Sequence, residues 1–281
     1  MDIGIIILAG GYGKRFQTGK QWKDKLLQPI NKKPMLLNVV DVALQISQDI
    51  VVATKPERIN KYKKIIDKQI KIISDDPPIK DSMLLAGVNA GIQHLQNEYI
   101  LIIAGDMPFI RPEVIKILID NAHQNDVTAP IHPDGITEPL LAIYKHGHIQ
   151  KSIKTILKKE QIRATDLIRS AYKIRFIPTD EIRKVDPELR SLISINKPKE
   201  MQKQILRQML NNAKVYSITF KDLHPYWEAL NAYLNRFYQH AALLFTEEAK
   251  VYRKYGITHL ELHALNDALN VYKKLNYENF I

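Results

Sequence analysis

Residues 4–9 read GIIILA and pass directly into Gly10-Gly11-Tyr12-Gly13-Lys14-Arg15. An apolar run with no polar alternation reads as a strand buried on both faces, the kind found inside parallel sheets. A glycine turn at its carboxyl end sets backbone N–H groups at the edge where open α/β sheets bind ligands. Gly10, Gly11 and Gly13 let the main chain curl close to an anion. Lys14, Arg15, Lys20, Lys23 and Lys25 supply cations just beyond. The glycine spacing fits neither GxGxxG nor GxxxxGK[ST]. On the glycines alone, two readings stand: an anion cradle, or a tight strand-to-helix turn trailed by solvated lysines.

The pattern that follows supports a sheet. IVVAT (50–54), IKIIS (70–74), YILIIAGD (99–106), DVTAPI (126–131) and PLLAIYK (139–145) read as strands. Helical spacing occupies 35–47, 57–68, 83–95 and the stretch from Pro112, a residue suited to a first helical turn. Strand–helix alternation with short links predicts an α/β fold, a mostly parallel sheet with right-handed crossovers and flanking helices. The two later strands are expected to add an antiparallel edge.

Asp106 closes one of these strands. A carboxylate there is costly unless it is solvated or holds a cation such as Mg²⁺. The alternative is a helix N-cap ahead of Pro112.

The chain of 281 residues carries 41 Lys/Arg against 30 Asp/Glu, a net charge of +11 that favours anionic partners. Residues 206–281 hold only nine of those cations, against seven acids, yet 13 of the 22 aromatics. The shift predicts a second, helical unit, with a division at 1–204 and 205–281. Residues 205–213, 223–254 and 259–275 read as helices and 215–220 as a possible strand. Leu223, Trp227, Leu230, Leu234, Phe237, Ala241 and Leu244 recur at helical steps, and their face needs a partner surface. His259 and His263 share a helix turn and could hold a metal, although packing roles suit them better. There is no cysteine, which excludes disulfides and thiolate chemistry. No apolar run approaches the ~20 residues of a membrane span, and the first strand follows the start without a leader. A cytoplasmic protein with neither membrane nor nucleic-acid partner is expected.

Taken together, ILAGG…R…K near the start, GDMPF at 105–109 and SINKPKEM at 194–201 resemble the MobA-like nucleotidyltransferases of the molybdenum cofactor guanylyltransferase kind. ISDD (73–76), LLAGVNAGI (84–92) and EPLLAIYK (138–145) extend the resemblance over roughly residues 4–203. It implies a Rossmann-like sheet of the nucleotide-diphospho-sugar transferase type. It also implies attack of a phosphorylated acceptor on the α-phosphorus of an NTP, with release of pyrophosphate. GTP is the implied donor and a molybdopterin-type cofactor the implied acceptor. A sugar phosphate, polyol phosphate or cobinamide phosphate would suit the same chemistry.

Carried over residue by residue, Leu8, Ala9, Gly10 and Gly11 contact the nucleotide, and Arg15 and Lys25 bind its phosphates. Asp75 contacts the nucleotide. Asp106 binds Mg²⁺, helped by Asn196. The catalytic set is Arg15, Lys25 and Asp106.

The chain departs from the pattern in three places. Arg15 and Lys25 stand ten residues apart, which leaves open which of Lys20, Lys23 and Lys25 meets phosphate. Ser82-Met83-Leu84 replaces a Gly-Pro, and Ala53 stands where an Asn is usual, so base specificity stays open. A rival reading is a non-catalytic nucleotide sensor whose helical part binds a partner. The joint presence of Arg15, Lys25 and Asp106 argues against it. The C-terminal helices are expected to serve dimerisation or to close the acceptor side of the pocket.

Overall fold

The computed structural model describes residues 1–16, 23–75, 83–196 and 215–278. The chain enters through β1 (Ile3–Leu8), passes a small hairpin of β2 (Pro29–Ile30) and β3 (Lys33–Pro34), and continues with α1 (Met35–Leu44), β4 (Ile50–Thr54), α2 (Pro56–Tyr62), β5 (Lys71–Ser74), α3 (Met83–Ile92), β6 (Tyr99–Ala104) and α4 (Pro112–Asp120). Then come β7 (Val127–Ile131), β8 (Leu141–Lys145), α5 (His146–Ile156), α6 (Asp166–Arg169), β9 (Lys173–Pro178) and α7 (Thr179–Arg183). The last described segment holds β10 (Tyr216–Thr219), α8 (Pro225–Leu234), α9 (Tyr238–Lys254) and α10 (Thr258–Glu278).

Among the described residues, eight strands form one sheet in the order β10-β9-β7-β8-β6-β1-β4-β5. Six run the same way, while β8 and β10 are antiparallel to their neighbours. The sheet is the mostly parallel one that the alternation predicts. The expected antiparallel edge is corrected: β8 lies inside the sheet, between β6 and β7. Its pairing with β7 through a hairpin reverses one strand in mid-sheet and leaves β7 parallel to β9.

The central strand shows why its sequence carries no alternation. Ile3, Ile5, Ile7 and Ala9 face a core shared with α1, α2 and α4, while Ile6 faces the opposite core with α3 and α5. Both faces are covered, so both must be apolar.

The C-terminal helices belong to this second core. Tyr226, Leu230, Phe245, Tyr252 and Leu260 pack in one apolar cluster with Leu167, Ile168, Ala171 and Phe176 of the α/β part. The stretch 215–220 supplies the edge strand β10, paired antiparallel with β9. The helical stretch expected over 223–254 divides into α8 and α9. Asn235 caps α8 and Arg236 adopts φ +63°, a left-handed conformation that cannot continue a helix. Of the amphipathic series, Leu230 and Ala241 are buried, whereas Leu223 and Phe237 flank the helix starts and stay exposed. The expected helix over 205–213 and the 204/205 division lie outside the described residues.

Three carboxylates and three cations close the seam between the α/β part and α9–α10. Arg169 donates to Glu248, Asp166 and Asp267, Lys159 donates to Asp166 and Asp267, and Arg163 donates to Asp267. His259 and His263 help from α10. Nδ1 of His259 accepts from the Thr137 N–H at 3.3 Å, and His263 Nδ1 meets Thr165 Oγ1 at 2.6 Å. Their imidazoles fasten the helix to its neighbours, and among the described residues no group of three potential ligands surrounds them.

Candidate active site

A cavity of about 520 Å³ opens at the carboxyl edge of β1, β5 and β6. It sits where the chain order turns about β1, with β4 on one side and β6 on the other, the position at which open α/β sheets form a crevice.

The glycine segment forms its floor. Ala9 N–H still donates to Ala53 in sheet fashion, and then the chain leaves the strand. Gly10 leaves room for Asp75: a Cβ there would lie 2.1 Å from Asp75 Oδ2, so the segment or the carboxylate would have to shift. Gly13 adopts φ +60°, which favours glycine. A short 3₁₀ turn over Lys14–Phe16 follows and carries Arg15 to the cavity.

Lys25 arrives from the next described segment. Asp24 accepts from Leu26 N–H and so caps the turn Lys25–Leu27. Lys25 Nζ then meets Asp106 Oδ2 at 2.5 Å across the cavity wall. Asp106 lies two residues beyond the end of β6. It is not an N-cap, because Arg111 holds that place on α4. The Asp106 carbonyl accepts from Ile195 N–H, which brings Asn196 to the same wall, where its Oδ1 accepts from Arg15 Nη2 at 3.2 Å.

Asp75 follows β5 and faces the floor from the other side. It is buried, and neither carboxylate oxygen has a hydrogen-bond partner among the described residues. Burial pushes its carboxyl up to about 6, opposed by Lys55, whose ammonium lies 3.9 Å away, and by Arg58. A buried acceptor with so little satisfaction is suited to donors arriving with a ligand.

Leu8, Gly10, Gly11, Arg15, Lys25, Asp75, Asp106 and Asn196 thus all line one cavity. Ala9 does not: its side chain is in the core and its carbonyl faces Thr54 and Arg58. Among the candidate lysines, Lys25 reaches the cavity and Lys23 is exposed, while Lys20 lies outside the described residues. Three contributors were not read from the sequence. Tyr12 lines the cavity with Lys55 4.7 Å over its ring, Ser194 lies beside Asn196, and Arg58 stands behind the glycine segment. Tyr12 sits between the glycines and could have been singled out there; Arg58 has no local signature.

A glycine floor with two cations and two carboxylates lining one cavity suits an enzyme that handles a nucleotide's phosphates. The comparisons agree. The model of the MobA-like NTP transferase domain matches residues 5–173. A relative from Natranaerobius thermophilus, named "Probable molybdenum cofactor guanylyltransferase", is 30% identical over 204 residues, covering 72% of this chain and 94% of its own. The molybdenum cofactor guanylyltransferase of Desulfosudis oleivorans is 28% identical over 202 residues, covering 70% and 92%. Among solved structures, molybdopterin-guanine dinucleotide biosynthesis protein A of Archaeoglobus fulgidus superposes with a TM-score of 0.58 at 23% identity, covering 71% of this chain and 95% of that one. At that identity the likeness speaks for the fold. The protein is a nucleotidyltransferase. It belongs to the MobA-like NTP transferase family. About seven tenths of this chain spans nearly all of those relatives' length.

Proposed function

We propose that the protein transfers GMP from GTP onto a terminal phosphate of a molybdopterin-type acceptor, releasing pyrophosphate. The observation that carries this reading is the convergence of Arg15, Lys25, Asp75, Asp106 and Asn196, from separate segments, on one cavity of nucleotide size. The relatives' names supply the base and the acceptor.

The acceptor phosphate is already an anion at neutral pH, so no general base is required. Catalysis then rests on alignment and charge neutralisation. Backbone N–H groups of residues 10–13 cradle the triphosphate. Arg15 and Lys25 offset the charge that builds on the departing pyrophosphate. Asp75 receives donors from the base, for which guanine offers an N–H and an amino group.

Asp106 and Asn196 are hard oxygen donors on one wall, which fits Mg²⁺. Among the described residues no cluster of three ligating side chains exists, so Asp106 and Asn196 would hold a cation here together with phosphate and water. Bound, it would supply charge neutralisation at the phosphates. The outward faces of α9 and α10 leave Leu243, Leu262, Leu269 and Tyr272 exposed, which supports a homodimer through these helices.

The test is pyrophosphate release with Mg²⁺, each of the four NTPs and phosphorylated acceptors in turn. GTP with molybdopterin should give the largest rate. A larger rate with CTP and a polyol or sugar phosphate would replace this acceptor and base by another within the same chemistry. Light scattering of the eluting protein reads the dimer.

A further inference from the structure

Behind the cavity floor lies a buried charge that the chemistry above does not use. Arg58 is 1% exposed, on α2, a helix whose other charges face solvent. Its Nη1 donates to the carbonyls of Ala9 at 3.2 Å and Gly11 at 2.9 Å. Its Nε lies 3.7 Å from Asp24 Oδ2. Tyr62, one helical turn further along α2, donates to both oxygens of the same Asp24, at 3.3 and 3.1 Å. Asp24 in turn caps the turn that begins at Lys25.

We propose that Arg58 is a positioning residue that braces the glycine segment and the Lys25 turn against each other, with Tyr62 and Asp24 completing the brace. This rests on the reading of the cavity as a transferase site. The logic is that of peptide geometry. When the carbonyls of Ala9 and Gly11 are drawn back toward α2, their planar peptide units turn the N–H groups of Gly10 and Tyr12 away from it, toward the cavity. The guanidinium donates to both carbonyls from Nη1 and keeps its Nε at ion-pair distance from the carboxylate, an arrangement its planar fork fixes and an ammonium on a flexible stem does not. Asp24 transmits the same anchor to Lys25, whose ammonium must keep station against Asp106. The two phosphate-binding segments are thereby tied to one helix face, and an error of an ångström between them is the kind that costs about a hundredfold in rate.

Removing Arg58 alone would strand the buried Asp24 carboxylate, so loss of fold and loss of position must be separated. Two variants do this. Arg58→Lys keeps the buried charge. Arg58→Met combined with Asp24→Asn removes charge from both sides and leaves an acceptor to cap Leu26. Both are expected to keep a melting temperature close to that of the parent protein. Both should lower kcat for transfer from GTP about tenfold or more while the acceptor KM stays within about twofold. Recovery of kcat along with the melting temperature would overturn the proposal, because Arg58 would then serve only stability. Amide hydrogen exchange over residues 9–13, measured without nucleotide or acceptor, is expected to quicken in both variants. Unchanged exchange there would also overturn it. This measurement needs no turnover, so a parent protein that fails to transfer GMP refutes the proposed function and leaves the brace to be decided by exchange.

Discussion

Arg169 and Glu248 meet through two parallel hydrogen bonds, Nε to Oε1 at 2.8 Å and Nη2 to Oε2 at 2.6 Å, with neither side chain exposed. Arg169 ends α6 of the α/β part and Glu248 lies on α9, 79 residues later. The guanidinium also packs over the Tyr226 ring, 4.8 Å from its centre. Burial works against its charge, and Glu248, Asp267 and Asp166 outweigh that, holding it well above its ordinary pKa. The pair joins the helices to the α/β part by electrostatics in a place where water cannot substitute.

Removing one partner therefore leaves an uncompensated charge in the core. Glu248→Ala is expected to cost about 3–5 kcal/mol of unfolding free energy, the usual scale for breaking a buried ion pair. Urea denaturation followed by circular dichroism measures it. A loss below about 1 kcal/mol, the value of an exposed pair, would show that water reaches the seam.

The Lys25–Asp106 contact carries the next expectation. Asp106→Asn keeps the shape of the side chain, so the melting temperature should stay close to that of the parent. Transfer should fall by about two orders of magnitude or more, since a cation at the phosphates is worth several kcal/mol in this chemistry. Steady-state pyrophosphate release reads the rate. Near-normal turnover would remove Asp106 from the site.

What the sequence discloses follows from how local each cause is. β1 is legible because burial on both faces prints an unbroken apolar run, and the residues at its edge are found by reading past the strand. Asp106 is placed in the same way, whereas Asp75 comes from the family resemblance. Arg58 is not legible: in ERINKYKKIIDK it looks like one more solvated cation, and its partners are carbonyls 47 and 49 residues away. The interior position of β8 was hidden because strand direction depends on which neighbours a hairpin selects. Glu248 was hidden as well, though a signal existed. It falls at helical spacing from Ala241, Phe245 and Tyr252, on the buried side of α9. The apolar spacing of the C-terminal helices called for a covering surface; that the surface is the layer around Arg169 depends on the docking of the whole segment.

Gly10 gives a steric test of the floor. Gly10→Ala would place a methyl group 2.1 Å from Asp75 Oδ2, so the segment or the carboxylate must shift. GTP affinity, measured calorimetrically, is expected to fall about tenfold or more, since a built site tolerates little displacement. Unchanged affinity would show that neither Gly10 nor Asp75 touches the nucleotide.

Asp75 and His224 should bend the pH dependence of stability in opposite directions. The Asp75 carboxyl is raised from 3.8 to about 6 by burial, so the native state holds its proton longer than the unfolded chain. Its contribution is present below about pH 4 and lost as the pH rises through 6, amounting to about 2–3 kcal/mol. His224 is lowered from 6.5 to about 4, first by burial, while its Nε2–H donates to the Ala171 carbonyl at 2.9 Å. The native state therefore resists protonation that the unfolded chain accepts. Stability is present above about pH 6.5 and lost as the pH falls toward 4, by up to about 3 kcal/mol. Unfolding free energies at pH 4.5, 6 and 7.5 for Asp75→Asn and His224→Gln separate the two. Asp75→Asn should gain on the parent as the pH rises, and His224→Gln should gain on it as the pH falls. If Asp75 receives the base's donors as proposed, GTP affinity should in addition increase from pH 5 to pH 7 in the parent, because the ionised carboxylate is the accepting form. An affinity that is flat across that range, with Asp75→Asn binding equally well, would take Asp75 out of base recognition.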